Sequence, residues 1–221
     1  MIDASARPAV ASDSMNDVLG RLSQLRVLPV ATVSAERAQR VGRVLVTAGL
    51  PCIEIAFRTD DAATAIERAS KVDGLLVGAG TVRTREQAKA AAAAGAAFAV
   101  APALNEEVVE CCRELDLPFF PGVATPTEID RAHQLGLRTL KIFPVAAVGG
   151  MGFLRAVSAT YPEFRFIPTG GVDKANLRDY LALPSVLCCG GSWIIGNGTI
   201  GEVDYAELAR RARAACTPAS S

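Results

Sequence analysis

Eight short apolar runs recur along this 221-residue chain at intervals of 20 to 26 residues, and helix-like segments separate them. No other feature narrows the fold as much. Strand, crossover helix, strand, repeated without interruption, implies parallel strands joined by right-handed connections. The runs fall at 26–32, 52–57, 75–81, 98–104, 119–125, 139–145, 165–169 and 186–192. Ser34, Asp60, Thr84, Asn105, Thr127 and Asp173 stand where helix N-caps belong. Gly49, Gly95 and Gly136 stand where helices should stop. Eight units predict a (β/α)8 TIM barrel, an α/β fold of one domain over residues 14–215, with 14–25 as an extra N-terminal helix. The alternative is an open doubly wound sheet. Against it stand the count of eight and the lack of a GxGxxG or GxxxxGK[ST] string after the first run.

The ends, 1–13 and 216–221, are small and polar and are expected to be flexible, and Met15 is an alternative start. The formal net charge is zero with no basic cluster, which argues against a nucleic-acid partner. No apolar stretch reaches membrane-spanning length, and the start lacks the layout of a signal peptide. Six cysteines include no CxxC pair, and there is one histidine, His133, so a zinc site of the usual kinds is not expected. The adjacent pairs Cys111-Cys112 and Cys188-Cys189 read as small core residues, and a reducing, cytoplasmic setting is expected. His133 reads as a surface residue on a helix.

Lys141 is the only charge in the run TLKIFP at 139–144, which otherwise looks buried on both faces. The bland reading is a strand-edge lysine whose stem packs while its head reaches water. The functional reading is a desolvated amine, freed as a nucleophile toward carbonyls. Strand parity bears on the choice. In the second run it places Cys52, Glu54, Ala56 and Arg58 on one side and apolar residues on the other, so Glu54 should point into the barrel. In the sixth run it sends Thr139, Lys141 and Phe143 inward. Both strands are even-numbered, so Lys141 and Glu54 can share a layer from opposite walls. A purely structural buried Lys–Glu pair is the competing account, and such pairs rarely stabilise better than apolar packing. Arg58 follows roughly 13 Å along the strand from Glu54, too far for the two to be simply each other's salt bridge. Glycine pairs close the seventh and eighth runs, Gly170-Gly171 and Gly190-Gly191, where phosphates bind in such barrels.

These residues are similar to those of 2-keto-3-deoxy-6-phosphogluconate (KDPG) aldolases, which overlap with 4-hydroxy-2-oxoglutarate aldolases. The matching strings are EIAFRT at 54–59, GAGTV at 78–82, PGVAT at 121–125, LKIFP at 140–144, PTGGV at 168–172, DYL at 179–181 and VLCCGGSW at 186–193. The resemblance implies a class I aldolase, a lyase of the Entner–Doudoroff type that cleaves KDPG to pyruvate and glyceraldehyde 3-phosphate. It implies Lys141 as the Schiff-base lysine and Glu54 as the general acid/base. Arg58, helped by Thr81 and Thr169, would hold the pyruvyl carboxylate. Gly170, Gly171, Gly191 and Ser192 would hold the phosphate, with Phe143 beside the lysine. It also implies a homotrimer that needs no metal and no cofactor. The chain departs from the family pattern at Val145-Ala146-Ala147, where a glutamate often follows the lysine, and at Ala101-Pro102-Ala103. Both departures bear on substrate preference among KDPG, its galactonate epimer and 4-hydroxy-2-oxoglutarate. The competing readings are a sugar-phosphate epimerase and a non-catalytic phosphate-binding barrel.

Overall fold

A computed structural model describes residues 12–196 and 204–216, so most of both expected flexible ends lies outside the described residues. The strands are β1 (Val27–Ala31), β2 (Cys52–Ala56), β3 (Leu76–Gly80), β4 (Phe98–Val100), β5 (Phe119–Phe120), β6 (Gly122–Val123), β7 (Thr139–Ile142), β8 (Arg165–Pro168) and β9 (Cys189–Gly191). The helices are α1 (Asp13–Leu25), α2 (Ala35–Thr47), α3 (Ala62–Ser70), α4 (Arg85–Ala93), α5 (Glu106–Glu114), α6 (Pro126–Gln134), α7 (Gly150–Thr160), α8 (Leu177–Leu181) and α9 (Tyr205–Cys216). Cys216, placed by the sequence reading in the tail, closes α9.

All strand pairs are parallel. One sheet has the order β5-β4-β3-β2-β1-β9 and a second has β6-β7-β8. The order follows the chain, and β9 returns to pair with β1 through Val27–Cys189, Leu28–Gly190 and Pro29–Gly191. A doubly wound sheet would instead reverse its order near the middle. Isolated parallel bridges tie Phe166 of β8 to Val186, ahead of β9, and Thr169, just after β8, to Gly190 of β9.

The fifth run differs from expectation because it is two short strands, β5 and β6, parted by Pro121. Proline has no N–H to give a ladder. Its carbonyl still accepts the Lys141 amide at 2.9 Å, so the neighbouring strand stays aligned. Three caps also differ. Asp61, Thr125 and Asn176 hold the N-cap positions instead of Asp60, Thr127 and Asp173. Pro126 begins α6 and leaves Thr125 as the residue that can cap it, with its hydroxyl accepting the Glu128 amide. Ser34, Thr84 and Asn105 are caps as expected. Gly49, Gly95 and Gly136 have φ of 84°, 82° and 76°, the left-handed geometry that ends a helix.

The helices earn their place by burying one stripe. In α2, Ala38, Val41, Gly42 and Leu45 are buried at the spacing of a single helical face. The strands are buried on both faces, and β1, β2 and β3 expose no residue. Five cysteines are buried and all six are free thiols. No described helix is long and apolar enough to cross a membrane.

Candidate active site

Lys141 and Glu54 meet. The lysine Nζ donates to the glutamate Oε1 at 3.4 Å, from β7 to β2, two strands that are not neighbours in either sheet. Lys141 is 5% exposed and Glu54 1%. The strand-edge alternative fails on that burial, because the ammonium does not reach open water. The contact also establishes which way β2 and β7 face: Glu54 and Lys141 turn toward each other. Ile53, Ile55, Leu140 and Ile142 take the opposite faces and join the hydrophobic core.

The space for this pair is made by β3. Gly78 pairs with Glu54 on one side and with Phe98 on the other. A side chain at Gly78 would run into the Phe98 ring, and one at Gly80 would run into the Glu54 carboxylate. Phe98 and Phe120 fill the interior nearby with centroids 5.9 Å apart. Cys52, on the Glu54 face, is fully buried, and its thiol donates to the Val27 carbonyl at 3.2 Å.

Phe143 follows β7 and is half-buried, with its ring centroid 5.2 Å from Lys141 Nζ. That is within range of a cation–π attraction. A Cβ on Gly170 would stand 3.2 Å from Phe143 Cε2 and 3.1 Å from Pro144 Cα, so the glycine lets the ring and the next loop lie close. The chain after β7 continues along β8, with Val145 and Ala146 amides bonding the Thr169 and Gly170 carbonyls at 2.8 and 3.0 Å.

Thr169 follows β8 directly and is buried, with its hydroxyl donating to the Ile167 carbonyl at 3.3 Å. The Thr169–Gly190 bridge sets Gly170-Gly171 beside Gly191-Ser192. Gly170 and Gly171 have φ of 87° and 94°, which side chains rarely adopt. Among the described residues, the amides of Gly171 and Ser192 donate to no backbone carbonyl, which leaves both N–H groups available. Such unpaired amides suit an anion. Thr81 follows β3 with φ 59°, an uncommon conformation for a threonine.

Arg58 is exposed just beyond β2, and among the described residues its guanidinium has no hydrogen bond or ion pair. Glu54 is paired with Lys141 instead, which leaves Arg58 open to a ligand anion. His133 is on the surface, 3.2 Å from Glu163, away from all of this. No described cluster of three His, Cys, Asp or Glu residues could hold a metal ion. The sequence reading gave Gly80 no role, because its parity with Gly78 is visible in the strand but the Glu54 side chain that lies over it is not.

A parallel α/β protein with a desolvated lysine against a carboxylate, and open amides at the carboxyl ends of neighbouring strands, is built for imine chemistry on an anionic carbonyl compound. Comparison with known proteins narrows that class. The family model "KDPG and KHG aldolase" matches residues 18–211. The chain is 41% identical over 196 residues to 2-dehydro-3-deoxy-phosphogluconate aldolase of Treponema pallidum, covering 88% of this chain and 93% of that one. It is similar in structure to the 2-keto-3-deoxy-6-phosphogluconate aldolase of Zymomonas mobilis solved with 3-phosphoglycerate: TM-score 0.87, 32% identity, covering 92% and 96% of the two chains. The KDPG aldolase of Legionella pneumophila, solved with pyruvate as a covalent carbinolamine, gives TM-score 0.85 and 33% identity, covering 90% and 98%. The chain belongs to the KDPG and KHG aldolase family.

Proposed function

We propose that this chain is a class I aldolase that cleaves KDPG to pyruvate and glyceraldehyde 3-phosphate, with Lys141 forming the Schiff base and Glu54 moving the proton. The observation that carries the reading is the buried 3.4 Å contact between those two side chains. The carbinolamine of the Legionella relative supports it.

In this reading the neutral Lys141 amine adds to the C2 ketone, and a proton passes from nitrogen to oxygen to give a carbinolamine. Protonation and loss of water leave the iminium. Glu54, through a water, then takes the C4 hydroxyl proton as C4 becomes a carbonyl. The C3–C4 pair forms the C2–C3 double bond, and the iminium π pair settles on nitrogen as an enamine, so no free carbanion arises. After the aldehyde leaves, C3 takes a proton, water adds back, and pyruvate departs. Arg58 grips the C1 carboxylate in bidentate fashion, which suits guanidinium better than ammonium, with Thr81 and Thr169 beside it. Gly170, Gly171, Gly191 and Ser192 hold the phosphate on backbone amides. Phe143 lies along the reacting nitrogen.

The same core accepts 4-hydroxy-2-oxoglutarate, giving pyruvate and glyoxylate, and the family's double name supports this. At the mouth, Ala146 and Ala147 are exposed and uncharged. We read the two sheets as arcs of one closed (β/α)8 barrel over residues 14–215, with α1 as an added helix. The chain's passage through Pro121 and the bridges beyond β8 support the closure. A cytoplasmic homotrimer is the assembly and setting that fit the family.

The test is pyruvate with sodium borohydride, followed by peptide mapping. A reduced pyruvyl adduct on Lys141 is expected; a folded protein with no adduct would refute the aldolase. Arg58→Ala should weaken pyruvate far more than free phosphate, and equal losses would reject the carboxylate clamp.

A further inference from the structure

Gly80 is the last residue of β3, fully inside the fold, and its φ lies outside the left-handed range that demands glycine. Nothing in the backbone there forbids a side chain. What forbids it is one neighbour. A Cβ on Gly80 would stand 2.6 Å from Glu54 Cγ and 2.9 Å from Glu54 Cδ, and closer still to Oε1. All three nearest atoms belong to Glu54. Oε1 is the oxygen that accepts from Lys141. Gly78, two residues earlier on the same face, makes room for the Phe98 ring instead.

We propose that Gly80 is a positioning residue: its missing side chain is the seat that holds the Glu54 carboxylate against Lys141. Flanking residues fit this reading. The β2–β3 ladder pairs Ala56 with Gly80 and Glu54 with Gly78, so Glu54 leans one step along the strand to lie over Gly80. The lean carries the carboxylate toward the strand ends, where a substrate carbonyl would meet the lysine. Without the seat, Glu54 must take another rotamer inside a closely packed interior, and Oε1 leaves Lys141.

The inference rests on the proposed aldolase reading for its activity arm and is independent of it for its stability arm. Gly80→Ala should lower the exchange of pyruvate C3 protons with deuterium by about 10²–10³-fold. Its borohydride-trapped adduct on Lys141 should persist. Glu54→Asp, which withdraws one methylene, should restore exchange in the Gly80→Ala background above that of either single variant. Multiplied losses in the double variant, or exchange in Gly80→Ala within twofold of the parent, would overturn the proposal. The stability arm measures thermal midpoints of Gly80→Ala, Glu54→Ala and both together. Gly80→Ala alone should lower Tm by about 4 °C or more, and this cost should vanish once Glu54 is gone. If Gly80→Ala alone fails to fold, a folded double variant supports the seat and an unfolded one rejects it. An equal cost in both backgrounds would make Gly80 a generic packing position. If the parent forms no adduct at Lys141, the aldolase reading falls while the stability arm still judges the seat.

Discussion

The two faces of β2 and β7 are made by alternate residues of the same strands and behave as different materials. One face carries Ile53, Ile55, Leu140 and Ile142, all at most 1% exposed and all in the hydrophobic core. The other carries Glu54 and Lys141, also buried but charged. Burial alone therefore distinguishes nothing here. The apolar face gains free energy for each methylene removed from water. The charged face pays desolvation for two ions and recovers it only through their mutual contact. In the proposed aldolase such a pair is kept against that penalty for chemistry, and the two faces should then answer mutation in opposite ways.

The largest effects separate the faces by activity. Lys141→Ala should abolish the pyruvate adduct and all cleavage, and any residual borohydride trapping elsewhere on the chain would break the comparison. The same variant strands Glu54 in the interior, so it should also be destabilised by about 3–5 kcal/mol, read by urea unfolding. Lys141→Met with Glu54→Gln removes both charges at nearly constant volume. It should be inactive yet at least as stable as the parent; a double variant less stable than Lys141→Ala would mean that the pair is structural. Next, Glu54→Gln should slow pyruvate proton exchange by about 10²–10⁴-fold, and unchanged exchange would remove Glu54 from proton transfer. On the opposite face, Ile55→Ala should cost about 2–5 kcal/mol of stability, with adduct formation intact at temperatures where the variant stays folded.

Much of this contrast was legible in the sequence because period-two parity is a strict rule. Once Lys141 and Glu54 were placed on even strands with apolar flanks, their meeting inside followed. The repeat of apolar runs disclosed the parallel strands for the same reason. The break at Pro121 was readable from proline's missing donor, yet it was passed over inside the strongly apolar run FFPGVAT. The caps slipped by one to three residues because Asp60-Asp61 and Thr125-Pro126-Thr127 offer rival side chains, and only the backbone's entry angle chooses between them. Gly80 was opaque for a deeper reason. The absence of a side chain has meaning only when a neighbour's rotamer is known, and no pattern in one strand reveals the rotamer of another. Arg58 was read as independent of Glu54, and the Glu54–Lys141 contact is consistent with that.

The smallest expected effect probes the seam between the faces. Cys188 and Cys189 are adjacent and both fully buried, and parity turns Cys188 toward the Glu54 interior and Cys189 toward the helices. Desolvation raises both thiols. Cys189 is pushed from 9.0 to about 12, with nearby Arg26 partly opposing the rise. Cys188 is also raised, by burial first and then by neighbouring Cys189, Cys52 and, more weakly, Glu54. The sign follows from proton counts. Below pH 9 the folded and unfolded thiols are both protonated and their contribution is constant. Above it the unfolded thiols ionise while the folded ones stay protonated, so stability falls as pH rises, by up to about 1.4 kcal/mol per pH unit for each thiol. Cys189→Ala should flatten the decline between pH 9 and pH 11 by close to one proton, measured by urea midpoints at each pH. Its cleavage activity at neutral pH should stay near that of the parent, because the residue faces the helices. An unchanged slope would mean that Cys189 reaches solvent, and a large loss of neutral-pH activity would mean that the two faces are less separate than the strand geometry makes them.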